Sequence, residues 1–241
     1  MEKSLESTIA TFLCAGLFGK KILAMPAGES VSGKPIVIST WDAGLEANMA
    51  AWEILSKKGR ALDAVEKGVM VTEDSKNCCV GLGANPDRDG FVTLDACIMD
   101  EFSNCGSVAF LERIKHPVSV ARRVMEKTPH VMLVGSGAQQ FAIAEGFPLE
   151  EKKLSPDAQK AYENWLKKSE YKPPAINIEN KQGHGPFAPN KLESGEWNHD
   201  TIGMVAMDAM GNLSGSCTTS GAGLKCVAAL VIHPLSVLVF L

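Results

Sequence analysis

Two strands joined by three residues constrain this chain more than any other feature. Residues 202–208 and 212–219 each read as a strand, and Ala209-Met210-Gly211 between them is hairpin chemistry. Just upstream, residues 171–198 hold Pro173, Pro174, Pro186, Pro189 and three glycines without any hydrophobic period. That is the composition of a flexible connector. A long structureless loop inside a compact domain needs a reason. Here it ends abruptly at Thr201, so the chain must deliver a sheet hairpin directly from a connector.

The upstream pattern is mixed. Residues 35–40 (PIVIST) predict a buried strand, because Ile-Val-Ile is continuous and β-branched. Residues 45–58 predict a helix with Ala47, Ala50, Ala51, Ile54 and Leu55 on one face, stopped by Gly59. A second helix follows over 61–72, carrying Leu62, Val65 and Val69. Turn residues 86–90 (PDRDG) lead into 91–99, where Val92, Leu94, Ala96 and Ile98 alternate with Thr93, Asp95 and Cys97, a strand period. Residues 106–111 are its expected antiparallel partner. Further elements are a helix over 117–127 opened by Pro117, a short strand over 131–134, a helix over 138–145, and one from Ser155 to about Lys168. No internal repeat is visible. The class is α+β, with helices and antiparallel strands in separate layers.

Composition excludes several functions. The 24 Lys+Arg against 28 Asp+Glu give a net charge of −4, without the basic footprint of a nucleic-acid binder. Hydrophobic content of 45% with 22% charged residues is globular. No apolar run reaches the length of a membrane span. The seven cysteines include no C-x-x-C pair, so the sequence implies no metal site; scattered core thiols are the expectation, with one disulfide among them left open. Residues 8–19 (TIATFLCAGLFG) have the length of an export-signal core, yet Glu2 and Glu6 offset Lys3 ahead of it. Residues 1–33 are therefore a leader, either a degenerate export signal or an unrelated extension. An export signal would send the chain to the periplasm, the exterior or a lysosome-like compartment; otherwise it stays in the cytoplasm.

The segment Asn198-His199-Asp200-Thr201-Ile202-Gly203-Met204, followed by DAMGNLSGSCTTSG, resembles the cleavage junction and first hairpin of the glycosylasparaginase family of N-terminal nucleophile hydrolases. STW at 39–41, ALDAVEKG at 61–68, PDRDG at 86–90, VTLDACIMD at 92–100 and VMEKTPHVMLVG at 124–135 resemble the same family in the same order, over roughly 34–225. The resemblance implies a four-layer αββα sandwich, of which this chain holds part, with the C-terminal strands missing. Residues 34–200 would be the first chain and 201–241 the start of the second.

It also implies roles. The precursor would cut itself at the Asp200–Thr201 bond, the Thr201 hydroxyl adding to the Asp200 carbonyl while the Asp200 carboxylate takes the proton. Cleavage frees the Thr201 α-amine, whose pKa of about 7.7–8.0 suits a general base for its own hydroxyl. The β-branch holds Oγ in place. Thr219 matches the position whose hydroxyl supports the nucleophile; read without the family, it is a strand-end threonine. Trp41 matches an aromatic at the pocket mouth, or else packs in the core. His199 supports the scissile turn. The substrate would be a small glycosyl-asparagine, hydrolysed without cofactor or metal, and the family-type assembly is a homo-oligomer of paired chains. His199-Asp200 favours glycosylasparaginase over a plain L-asparaginase or β-aspartyl peptidase, which usually carry glycine there. A catalytically inactive remnant is the rival from another class. His116 and His130, beside prolines at element boundaries, and His184 carry no ligand spacing.

The resemblance stops at Lys225. The family continues with GRVGDSP, which grips substrate, and later a TG[HN]G loop supplying oxyanion donors. Losing one such donor typically costs about 10²–10³ in rate. Residues 226–241 are instead almost wholly apolar. Suitable codons for 225–241, with one base inserted after the first, read K-M-R-G-R-V-G-D-S-P-I-I-G-A-G-L-F, so the tail is expected to be a frameshift product. It also has the composition of an aggregation-prone segment.

Overall fold

The computed structural model describes residues 33–42, 44–75, 79–168, 201–221, 223–225 and 227. Almost all of the expected leader, the connector and the tail apart from Val227 lie outside the described residues, as do His184, His199 and Asp200.

The elements in chain order are β1 (Ile36–Ser39), α1 (Gly44–Leu55), α2 (Ala61–Asp74), a 3-10 turn (Gly81–Gly83), β2 (Thr93–Met99), β3 (Cys105–Glu112), α3 (Pro117–Lys127), β4 (Met132–Val134), α4 (Gly135–Ala144), α5 (Pro156–Lys168), β5 (Thr201–Met207) and β6 (Leu213–Thr219). Among the described residues six strands form one sheet in the order β1-β5-β6-β2-β3-β4, antiparallel throughout except for the parallel β3–β4 pair. The expected hairpin therefore sits mid-sheet, inserted between β1 and β2, which come far earlier in the chain. Gly211 turns it at φ 83°, a left-handed backbone that glycine adopts without strain.

One hydrophobic core lies between the sheet and helices α1 to α4. Ala47, Ala51 and Leu55 of α1, Leu62, Val65 and Val69 of α2, and Val118, Ala121 and Val124 of α3 meet Ala96, Ile98, Val108, Ile202, Met204 and Ala206 of the sheet. The helical period of the first set and the strand period of the second created this match. Close approach is enforced at Gly106, where a Cβ would stand 2.1 Å from the Ala121 carbonyl oxygen of α3.

One expectation is corrected. Residues 35–40 were expected to be buried, yet Ile36 is 49% and Ile38 66% exposed. The cause is topological: among the described residues β1 stands at the edge of the sheet, paired with β5, and Val37 turns toward the core. By register, Ile36 shares a row with Met207 and Leu213, and Ile38 with Val205. Register partners point to the same face of a sheet, so an apolar strip runs across β1, β5 and β6 on the face away from the helices.

Candidate functional site

The site is built where β5 begins and β6 ends. Register sets Thr201 opposite Thr219, and Thr219 opposite Asp95 of β2. Three side chains thus form a row across three strands. Within it the Thr201 hydroxyl donates to Thr219 Oγ1 over 3.2 Å. Thr219 Oγ1 also accepts the Gly221 N–H at 2.9 Å, a local hydroxyl turn that ties the residues after β6 to the strand end.

The residues just after β1 hold the other side of Thr201. The Trp41 indole N–H donates to the Thr201 carbonyl oxygen at 3.0 Å. Trp41 has φ 65°, an outlier for a bulky side chain that costs on the order of 1–3 kcal/mol. Its side chain is 56% exposed, so Trp41 belongs to a surface, not to the core. One residue earlier, Thr40 donates its N–H to the Gly203 carbonyl and accepts the Gly203 N–H on Oγ1, both at 3.0 Å. This double clamp extends the β1–β5 ladder past its last pair and fixes the residue two along from Thr201.

The surroundings set the electrostatics. Asp95 accepts the Phe110 N–H at 2.8 Å, where a register shift between Leu94 and Ala96 disrupts the β2–β3 ladder; its carboxylate supplies the partner the bulge removes. After β6, Leu224 donates its N–H to Pro86 O at 2.7 Å, and Arg88 donates to Lys225 O at 3.0 Å. The 86–90 turn thereby docks the chain leaving the site. Lys225 donates Nζ to Ser220 O at 2.7 Å. Burial lowers its ammonium below the usual lysine range, and the charges of Asp95 and Asp87 counter that in part. One pleat below the threonine row, Cys97 and Cys217 face each other; the hydrogen bond to Cys217 and burial push the Cys97 thiol well up, so these are inert core thiols.

Thr218 points the other way, into the helix layer, and donates to Glu73 Oε1 at 2.8 Å. Glu73 Oε1 also accepts the Val118 N–H at 3.1 Å, and Oε2 meets His116 Nδ1 at 3.2 Å. Burial raises this carboxyl above the usual range, while the bonds from His116, Thr218 and Val118 pull it back.

Of the residues singled out in sequence, Thr201, Thr219 and Trp41 are brought together. Thr40 and Glu73 were missed. Thr40 had a signal in its place before Trp41. Glu73 had none, because a glutamate in the last turn of an amphipathic helix reads as surface. A cleft of about 850 Å³ lined by Phe91, Glu112, Arg113, Lys152 and Tyr162 includes no residue of β5 or β6, so the threonine row is separate from it.

The sequence profile of the asparaginase family matches residues 30–228. The chain belongs to the asparaginase family. Among relatives, the N(4)-(β-N-acetylglucosaminyl)-L-asparaginase of Elizabethkingia miricola is 57% identical over 195 residues, 80% of this chain and 52% of that protein. The enzyme of the same name from Rattus norvegicus is 36% identical over 227 residues, covering 85% and 62%. That from Mus musculus is 38% identical over 221 residues, with the same coverage. The chain thus spans between about half and three-fifths of these relatives' lengths. The mixed architecture of a six-stranded sheet and helices agrees with the class expected from the N-terminal nucleophile hydrolases.

Proposed function

We propose that this chain carries the nucleophile of a self-cleaving amidohydrolase acting on the amide between N-acetylglucosamine and an asparagine side chain. The observation that carries this reading is the pairing of the Thr201 and Thr219 hydroxyls at 3.2 Å beneath a carbonyl held by Trp41. Self-cleavage begins when Thr201 Oγ adds to the Asp200 carbonyl carbon. The peptide C–N bond breaks, the amine keeps its electron pair and gains a proton, and an ester links the two residues. Water hydrolyses that ester, leaving the Asp200 carboxylate and a free Thr201 amine and hydroxyl. His199 serves the scissile turn.

In turnover the free amine takes the hydroxyl proton and Oγ attacks the substrate's side-chain amide. The glycosylamine leaves with a proton, and water releases aspartate from the acyl-enzyme. Thr219 supports Oγ, and Trp41 borders the substrate. The names of the relatives supply the substrate class. Kinship with the broader asparaginase family supports a second reading, an L-asparaginase or β-aspartyl peptidase. A homo-oligomer of paired chains is the proposed assembly.

The test is intact-mass spectrometry of the purified full chain, followed by aspartate release from glycosyl-asparagine, free asparagine and a β-aspartyl dipeptide. A fragment beginning at Thr201 and preference for the glycosyl substrate are expected. A chain that stays whole and inactive would instead be a catalytically inactive remnant.

A further inference from the structure

Glu73 is out of place for a glutamate. It lies in the last turn of α2 with its carboxylate fully buried, and a charged group is rarely enclosed unless it is paired and hydrogen-bonded. Its partners come from three directions. Thr218, from the end of β6, donates to Oε1 at 2.8 Å. Val118, from the first turn of α3, donates its N–H to the same oxygen at 3.1 Å. His116, just before α3, meets Oε2 at 3.2 Å and reaches Asp74 through Nε2 at 3.5 Å. Asp74 in turn pairs with Lys115 at 2.7 Å. Behind Glu73 the packing has no slack: a Cβ on Gly81 would stand 2.2 Å from the Glu73 carbonyl oxygen.

Strand alternation turns this knot toward the site. Thr218 points into the helix layer, and its neighbour Thr219 points to the opposite face, where it meets Thr201. Ser220 is also tied, its N–H and hydroxyl both donating to Cys79 O at 3.1 and 2.8 Å. A strand end anchored through Thr218 cannot shift or rotate without moving Thr219.

We propose that Glu73 is a positioning residue for the nucleophile, fixing the end of β6 through Thr218 so that Thr219 holds Thr201 Oγ in its attack geometry. This rests on the reading of Thr201 as the nucleophile. Misplacement by roughly 1 Å can cost about 10²-fold in rate, so loosening one anchor is expected to slow the chemistry by about tenfold or more.

The experiment uses the full chain with Glu73→Gln, Thr218→Val and Thr218→Ser, each assayed well below its Tm. One readout is the rate of Asp200–Thr201 cleavage by intact mass. The second is independent of cleavage: in a Thr201→Cys background, iodoacetamide labelling at position 201 is followed by peptide mass spectrometry. Expected are slowed cleavage and at least about a fivefold change in labelling for Glu73→Gln and Thr218→Val, with Thr218→Ser close to the parent. A merely structural role would lower Tm and leave both rates unchanged. Rates within twofold of the parent for Glu73→Gln and Thr218→Val overturn the proposal. If the parent does not cleave but labelling still responds, the nucleophile reading fails and the positioning of residue 201 stands. If neither is seen, both fall.

Discussion

Replacing Asp208 with alanine should destabilise the chain by about 2.5–6 kcal/mol. Asp208 follows β5 and closes the hairpin on itself. Oδ1 accepts the N–H groups of Met210 at 2.9 Å and Asn212 at 3.1 Å, and Oδ2 accepts the Asn212 side-chain amide at 3.1 Å. Oδ2 also accepts the Ala61 N–H at 3.3 Å. That last bond caps α2, whose own N-cap, Arg60, makes no side-chain capping bond. A carboxylate there also complements the helix dipole. The loop donors can turn to water when the carboxylate is lost, at about 0.5–1 kcal/mol each. The Ala61 N–H belongs to a fully buried residue and would be orphaned, costing about 1–3 kcal/mol more. At about 2–4 °C per kcal/mol for a domain of this size, the melting temperature should fall by roughly 5–24 °C. Asp208→Asn keeps an acceptor and should lose less. Burial pushes the Asp208 carboxyl up, but the bonds from Asn212, Met210 and Ala61 outweigh it and hold it below the usual 3.8. A depressed carboxyl contributes stability that is present above its unfolded pKa and lost as pH falls through the folded value. The gap between parent and Asp208→Asn should therefore be constant near neutrality and shrink below about pH 3.8. Calorimetry or urea titration across pH reads both effects. An Asp208→Ala chain within 0.5 kcal/mol of the parent would refute the claim that this carboxylate joins the hairpin to α2.

Other outcomes follow from the same geometry. Thr201→Ala should abolish the cut before residue 201 while leaving Tm nearly unchanged, and Thr201→Ser should retain it at a reduced rate; gel electrophoresis over hours distinguishes them. Thr219→Val removes the partner of the Thr201 hydroxyl and should slow cleavage by about 10²-fold, with little change in the far-UV circular dichroism spectrum. Gly106→Ala forces a methyl onto the α3 backbone and should cost about 1–3 kcal/mol in chemical denaturation. Glu73, raised by burial above 4.5, contributes stability fully present below that pH and lost as pH rises through its folded value. Glu73→Gln should thus gain on the parent as pH climbs, and a pH-independent difference in Tm would contradict this.

Local elements were legible because each obeys one period over enough residues to be unambiguous. α3 spans Pro117–Lys127, as its proline start and apolar spacing required, and β6 ends at Thr219, as the hairpin pattern required. Burial of Ile36 and Ile38 was misjudged because a continuous apolar run carries no information about strand order, and only the sheet topology makes β1 an edge. The site divides in the same way. A polar residue opening a strand after a proline-rich connector reads equally as an ordinary turn; the resemblance of the surrounding sequence to a known family marked Thr201, Thr219 and Trp41. What joins them is register: residues 201 and 219 pair across a hairpin, while Trp41 arrives from 160 residues away through a third strand. Glu73 lies deeper still, a polar residue on a helix whose burial depends on three elements converging. The chain's own order of residues settled its periods and its turn chemistry. Tertiary structure alone decided which strand stands at the edge, which carboxylate is buried and which hydroxyls meet, because those depend on long-range pairing that no local window contains.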